Sequence, residues 1–343
     1  MAATSPTSQP SPLDWLQGVN AYHTTAALRA AIEIDIFTAI AEGATTPAAL
    51  AAKCQASERG MRILSDFLTV HGFLTKTGAE YSLTPDSAIF LNRRSPAYLG
   101  SIVFFLTHSK QMENFQNLTA AVRKGGAADA RAIEAEHPMW VEFARSMAPL
   151  MFMPAQEIAG MLGAESGAPC KLLDVAGGHG LFGITIAQKN PNAHVTTLDW
   201  PHVLEVAGEN AARMGVLDRH SLIPGDALAV DWGSGYDLVL LTNFLHHFDS
   251  GSCEQILRKA QAALKPGGRV AILEFVPNND RVSPDFAACF SLVMLANTPA
   301  GDAYTFKEIS AMVSAAGLSN PVARPLSNGI QTLVVAVKGE ATV

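Results

Sequence analysis

The sequence predicts an α/β protein: a doubly wound, mostly parallel sheet with helices on both faces, preceded by a mostly helical N-terminal domain. Three observations carry that prediction. From Lys171 onward, short apolar runs alternate with segments of helical spacing, the pattern of parallel strands joined by crossover helices. The first run ends in a glycine cluster, KLLDVAGGHGLFGITIA, which holds a G-x-G-x-x-G in Gly178, Gly180 and Gly183. Ahead of it, residues 13–90 keep an alanine-rich helical pattern that closes on a hairpin signal.

Composition narrows the function classes. A chain of 343 residues with 48% hydrophobic residues has room for two domains and a substantial core. Lys+Arg 24 against Asp+Glu 31 leaves a net charge of −7, so no field draws the protein to nucleic acid or to an anionic membrane surface. Cys54, Cys170, Cys253 and Cys289 are widely separated and form no C-x-x-C, which argues against a disulfide framework or zinc site and fits a reducing, cytoplasmic setting. Residues 1–12 lack the apolar core of a signal peptide and read as a disordered lead-in. No apolar run reaches the length of a membrane span.

Taken in order, AYHTTAALRAAIEIDIFTAI reads as helix, followed by short helices in TTPAALAAKCQ and SERGMRILSDFLTVHGFL. Pro47 lies near one helix start and Ser57 is the expected N-cap of the next. LTKTGAEYSLT then reads as a hairpin turning at Thr77–Gly78. Helix, helix and hairpin resemble a winged helix over residues 13–100. Its candidate recognition helix offers Glu58, Arg59, Arg62 and Asp66, whose charges cancel, so packing or dimerisation is expected of it rather than DNA reading. Residues 101–165 form a helical connector interrupted at KGGAADA and rich in Phe, Met and Trp, among them Trp140, Phe143, Met151 and Phe152. Such a stripe packs as core or lines an apolar substrate pocket between domains, and both readings stay open. Over residues 166–343 the expected strands are KLLDVA, HVTTLD, HSLIP, YDLVLLT, RVAILEF and IQTLVVAV. The expected helices lie near Leu181–Lys189, Val203–Met214, Cys253–Leu264 and Phe306–Ala316. Ligands of such sheets bind at the carboxyl ends of the strands, near the topological switch point.

The glycine turn alone does not say which ligand it takes, so the surrounding charges decide. Between Leu172 and Gln188 there is no Lys or Arg, while Asp174 ends the first strand, Asp199 the second, and Asp226 follows the third. Asp199 fits a ribose diol in either a dinucleotide or a sulfonium donor. A dinucleotide brings a pyrophosphate that Asp174 would oppose. S-adenosylmethionine brings a sulfonium and an ammonium, both of which carboxylates attract. The methyl-sulfonium donor is favoured over a nicotinamide cofactor, and transfer over hydride chemistry.

The motifs LLDVAGGHG, TLDWPHV, PGDAL, LLTNFLHHFD, LKPGGRVAILE and MLANTPAGDAYTFKE, in that order, resemble those of the class I S-adenosylmethionine-dependent O-methyltransferases. The likeness is to the group with caffeate, hydroxyindole and bacterial natural-product members, and it spans nearly the whole chain. It implies a Rossmann-like, seven-stranded sheet, an N-terminal winged-helix dimerisation domain, a homodimer and a small-molecule acceptor. By position it implies that Ala176, Gly177 and Gly178 offer backbone to the methionine moiety and that Asp199 holds the ribose, with Trp200 flanking the adenine. The PGDAL turn, Gly225, Asp226 and Ala227, meets the adenine; Thr242 and Asn243 close the methionine side; Phe248 packs against the cofactor. Ala176 stands where the family's first motif glycine falls, which is acceptable where the backbone needs no positive φ.

The same resemblance places the catalytic base at His246 and a supporting acid at Glu274, the last polar residue of RVAILEF. An imidazole with an intrinsic pKa of about 6.5 is a plausible partner for a phenol of about 10. A carboxylate opposite its other nitrogen fixes its tautomer. His247 falls on a neighbouring acidic position, and the family's second acid falls on Ala303, with Asp302 beside it, so the base-plus-two-acids arrangement is incomplete. Phe152, Met294 and Thr298 are expected to face the acceptor. Adjacent histidines without a carboxylate cluster make no metal site, so a metal-independent transfer is expected. Carbon or nitrogen methylation on the same fold is the alternative.

Overall fold

The structure, a computed structural model, describes residues 11–129 and 139–340. Most of the expected lead-in and part of the connector lie outside the described residues. The chain divides into two compact units, Met1–His108 and Ser109–Val343.

The first unit holds α1 (Leu13–Glu33), α2 (Ile36–Ala41), α3 (Pro47–Cys54), α4 (Glu58–Val70), the hairpin strands β1 (Leu74–Thr77) and β2 (Glu80–Leu83), α5 (Pro85–Phe90) and α6 (Ile102–Leu106). A single helix was expected across AYHTTAALRAAIEIDIFTAI. It breaks at Asp35, whose left-handed φ of +58° redirects the chain into α2. Pro47 opens α3 and Ser57 caps α4 as expected, and Thr46 adds a cap that the sequence reading did not name. Thr46 Oγ1 accepts the Ala49 N–H ahead of Pro47, and Ser57 Oγ accepts the Gly60 N–H. Ile36, Phe37, Leu50, Met61, Leu68 and Tyr81 form the buried core.

In the second unit α7 (Ser109–Gln116), α8 (Leu118–Lys124) and α9 (Met139–Met161) precede the sheet. Then come β3 (Cys170–Val175), α10 (Leu181–Lys189), β4 (Ala193–Asp199), α11 (Pro201–Arg213), β5 (His220–Pro224), β6 (Tyr236–Thr242), α12 (Ser250–Ala263) and β7 (Leu264–Glu274). Last are α13 (Asp285–Asn297), α14 (Phe306–Ala315), β8 (Leu318–Pro325) and β9 (Thr332–Lys338). The seven strands order as β5-β4-β3-β6-β7-β9-β8. The first five pair in parallel, whereas β9 is antiparallel to both its neighbours. Central strands read as unbroken apolar runs because both faces are covered. Leu173, Val175, Val239 and Leu241 pack with α12 and α14 on one face. Leu172, Leu238 and Leu240 pack with α9 and α10 on the other. The order reverses between β3 and β6, so their carboxyl ends splay into a crevice.

Candidate active site

The turn from β3 into α10 forms one wall of that crevice. Ala176 and Gly178 both adopt positive φ, +50° and +56°. The condition under which alanine would be free of cost at position 176 is not met: the turn demands a left-handed residue there, and alanine carries it at a cost of about 1–2 kcal/mol. Gly178 leaves open space where a side chain would stand, which exposes its backbone. Gly183 serves a different need, since a Cβ there would lie 2.7 Å from Val195 Cγ1.

Asp174 sits elsewhere than the charge argument expected. It is fully buried beneath the turn, off the cavity wall, with Oδ2 accepting the Gly183 N–H at 3.1 Å. Burial pushes its carboxyl up to about 7, and its Oδ1 has no hydrogen-bond partner among the described residues. Its place inside the strand makes it a brace for the turn rather than a cation-facing group. Asp199, at the end of β4, accepts the Gly178 N–H through Oδ2 and the Trp200 N–H through Oδ1, both at 2.7 Å. Burial holds its carboxyl above the usual range. Gly225 donates its N–H to the Asp199 carbonyl at 2.9 Å, which ties the third loop to the second. Asp226 Oδ1 accepts the Leu228 N–H at 2.8 Å.

These loops surround a cavity of about 360 Å³. Its walls include Ala176, Gly178, Asp199, Trp200, Gly225, Asp226, Ala227, Asn243 and Phe248 on one side, and Trp140, Phe143, His247, Asn297, Thr298 and Pro299 on the other. No Lys or Arg is among them. Of the residues expected to bind, Gly177, Thr242 and Met294 are buried off the wall, and Phe152 is 45% exposed away from it. Among the wall residues that sequence reasoning missed, Asn297 had the clearest available signal, a lone amide in an apolar helix. Its Oδ1 accepts from Asn114 Nδ2 at 2.8 Å in a buried pair.

His246 lies behind His247 on a short turn after β6, its side chain only 6% exposed. Its Nδ1 is 2.6 Å from Glu274 Oε2, while Glu274 Oε1 accepts the N–H groups of Phe244 and His246 at 3.1 and 3.3 Å. The carboxylate therefore fixes both the imidazole and the backbone that carries it. The rest of the turn is held by residues to which the sequence assigned no role, Gly301 and Tyr304 of the MLANTPAGDAYTFKE motif among them. The Cys253 thiol donates to the Leu245 carbonyl at 3.1 Å, and the Tyr304 hydroxyl to the Phe248 carbonyl at 2.6 Å. Gly301 packs so closely that a Cβ would lie 2.1 Å from the His246 carbonyl. Ala303 is fully buried and brings no acid. Asp302 is instead paired with Arg281 at 3.1 Å. His247 stands edge-on to Trp140, and burial, together with the charge of His246, holds its pKa well below the ordinary histidine range. Among the described residues no three metal-ligating side chains come together.

Sheet order, glycine turn and crevice define a Rossmann-like α/β domain with a ligand site at its strand ends. Comparison with known proteins makes this specific. The family model for the O-methyltransferase domain matches residues 166–319, and that for the O-methyltransferase dimerisation domain matches residues 16–93. The 3-hydroxy-5-methyl-1-naphthoate 3-O-methyltransferase of Streptomyces sahachiroi is 30% identical over 319 residues, covering 89% of this chain and 90% of that protein. A crystal structure of a candidate O-methyltransferase from Nostoc punctiforme is 50% identical with a TM-score of 0.93, covering 96% of this chain and 100% of that one. Human N-acetylserotonin methyltransferase in complex with S-adenosylmethionine shares the fold, with a TM-score of 0.84 at 22% identity over 98% of this chain and 100% of that one. The chain belongs to the O-methyltransferase family, whose methyl donor is S-adenosylmethionine. The cavity suits that donor. It presents exposed backbone at Gly178, two carboxylates in Asp199 and Asp226, and no Lys or Arg, a lining that favours a cationic ligand over an anionic one.

Proposed function

We propose that this enzyme methylates a hydroxyl of a small, flat aromatic or polyketide-like acceptor, with His246 as general base and Glu274 as its positioning acid. The buried His246–Glu274 pair at the strand ends carries this reading. With Nδ1–H donated to the carboxylate, Nε2 keeps its lone pair and has no partner among the described residues. His246 is not among the residues lining the cavity, where His247 stands; on this reading the acceptor's hydroxyl reaches Nε2 past His247 and gives up its proton there. The Phe290 ring, edge-on at 5.0 Å, and Phe275 at 5.9 Å give the imidazole an apolar surround. His247 lies on the cavity wall, but a base whose conjugate acid is held so far down takes a phenolic proton poorly. Its role is to shape the acceptor wall with Trp140, Asn297 and Thr298.

When bound, S-adenosylmethionine supplies an electrophilic methyl. The chain's own residues orient and exclude: Asp199 holds the ribose, Trp200 flanks the adenine, Phe248 packs against the cofactor, Asp226 and Ala227 meet the adenine edge, and Asn243 closes the methionine side. No metal takes part. A naphthoate relative and an apolar acceptor wall both support an aromatic acceptor. The test is a screen of phenols with labelled donor, read by mass spectrometry. His246→Ala should lose about 10²–10⁴-fold in turnover while keeping donor affinity. His246→Ala retaining full activity on a phenol of ordinary pKa, with His247→Ala carrying the loss instead, would remove His246 from the mechanism.

We further propose a winged-helix dimerisation domain over residues 13–100, a connector over 101–165 and a catalytic domain over 166–343, working as a cytoplasmic homodimer. The dimerisation match and the exposed Leu13, Trp15, Val19 and Tyr22 on α1 support the dimer. The four unpaired cysteines support the compartment. Light scattering showing a monomer at micromolar concentration would reject the dimer.

A further inference from the structure

Asn243 stands on the cavity wall at the carboxyl end of β6 with φ at +54°, a left-handed state uncommon for L residues and best tolerated, after glycine, by asparagine, so that what fixes it is the surroundings of its side chain. Its N–H is held by the Leu273 carbonyl at 2.8 Å. Its side chain is held from two sides. Met151 Sδ lies 3.6 Å from Nδ2, and Gln331 Nε2 donates to Oδ1 at 2.6 Å. Gln331 comes from the far end of the chain, immediately before β9, and is only 2% exposed. Its own Oε1 is buried and has no hydrogen-bond partner among the described residues. A leucine of similar size would fill the same space without an unsatisfied carbonyl, so packing does not explain an amide at this position.

We propose that Gln331 is a positioning residue for the methyl donor: its buried amide holds Asn243 in the left-handed conformation in which Asn243 forms its part of the wall. The inference rests on the reading of Asn243 as a donor-side residue. It gives the antiparallel β8–β9 hairpin a role in the site, since the residue that enters β9 reaches the switch point between β3 and β6.

The test uses the full chain, calorimetric titration with S-adenosylhomocysteine, and thermal unfolding. Gln331→Leu should weaken binding about 3–10-fold, the worth of one neutral hydrogen bond, while the melting temperature stays level, since losing the orphan Gln331 carbonyl offsets the donor lost to Asn243 Oδ1. Asn243→Gly should itself bind more weakly. In that background Gln331→Leu should add nothing, because glycine takes a positive φ unaided and has no amide to hold. Wild-type affinity in Gln331→Leu together with a loss in Asn243→Gly would overturn the inference and leave the reading of Asn243 standing. Wild-type affinity in both would overturn both. A loss that comes with a lowered melting temperature, or that persists in the Asn243→Gly background, would mean that Gln331 acts through general packing, and the inference would fall.

Discussion

Replacing Glu274 by glutamine keeps the shape of the side chain but removes its charge and one of its acceptors. In the structure Oε1 takes two backbone N–H groups while Oε2 faces His246 Nδ1, so both oxygens accept. A glutamine carbonyl serves one side only. With the carbonyl on the backbone, the amide NH₂ donates to Nδ1 and the imidazole carries its proton on Nε2, the atom that has to receive one. With the carbonyl on Nδ1, two buried N–H groups face an NH₂. The charge loss can be sized separately. A carboxylate about 4 Å from an imidazolium is worth ~4 kcal/mol at an effective dielectric of 20; with the proton half transferred, ~2 kcal/mol of that is felt, about 30-fold in rate. The misplaced tautomer adds to it, so kcat should fall about 10²–10³-fold. The assay is initial-rate methyl transfer at saturating donor across phenols of decreasing pKa, with the affinity for S-adenosylhomocysteine measured in parallel. Affinity should hold, and the loss in rate should shrink as the acceptor ionises without help. A kcat within threefold of wild type on a phenol of ordinary pKa would refute the reasoning, as would an equal loss at every acceptor pKa.

Asp199→Ala should weaken S-adenosylhomocysteine binding by about 2–3 kcal/mol, the worth of charged hydrogen bonds in a buried site; unchanged affinity by calorimetry sinks the ribose assignment. Asp174 makes a stability prediction. Its folded pKa of about 7 stands above its ordinary 3.8, so its contribution is full below 3.8 and is lost as pH rises through about 7. Asp174→Asn should therefore gain on wild type by about 2–3 kcal/mol between pH 5 and 8 in urea unfolding, and parallel stability curves would contradict it. In Gly301→Ala the new Cβ meets the His246 carbonyl, and a displaced histidine turn should cost about 10²-fold in kcat with donor affinity and circular dichroism kept. Full activity would show that the turn is not held from that side.

The sequence made legible whatever depends on local pattern. Buried parallel strands and their crossover helices show as apolar runs and helical spacing, and β5 and β6 fall where HSLIP and YDLVLLT place them. β8 was missed because LSNPVARP, an antiparallel edge strand with two prolines and polar neighbours, carries no such signal. α13 was missed for the opposite reason. DFAACFSLVMLAN is apolar nearly all round, so it has no stripe to read. At the site, the local pattern located the glycine turn and Asp199, while His246 and Glu274 came only from the family resemblance. The pattern could not show that Asp174 points beneath the turn, because the end of a strand does not reveal which side its last carboxylate takes. Nor could it find Tyr304, Gly301 or Gln331, whose work is done on backbone or side chains 55 to 88 residues away. Those contacts exist only once the chain has closed.

The place of β9 in the sheet bears on how the enzyme assembles. Among the described residues it is the last strand in sequence, yet it lies between β7 and β8 and supplies the one ladder that β8 has. As the chain is synthesised, β8 emerges with no partner and β7 with one open edge, and both wait for Thr332–Lys338. A truncation before Thr332 removes one strand from the sequence and two from the sheet, and it strips the pairing that seats Gln331 beside Asn243. The part of the catalytic unit made first, the glycine turn with its parallel strands, therefore acquires its finished donor wall only from the part made last.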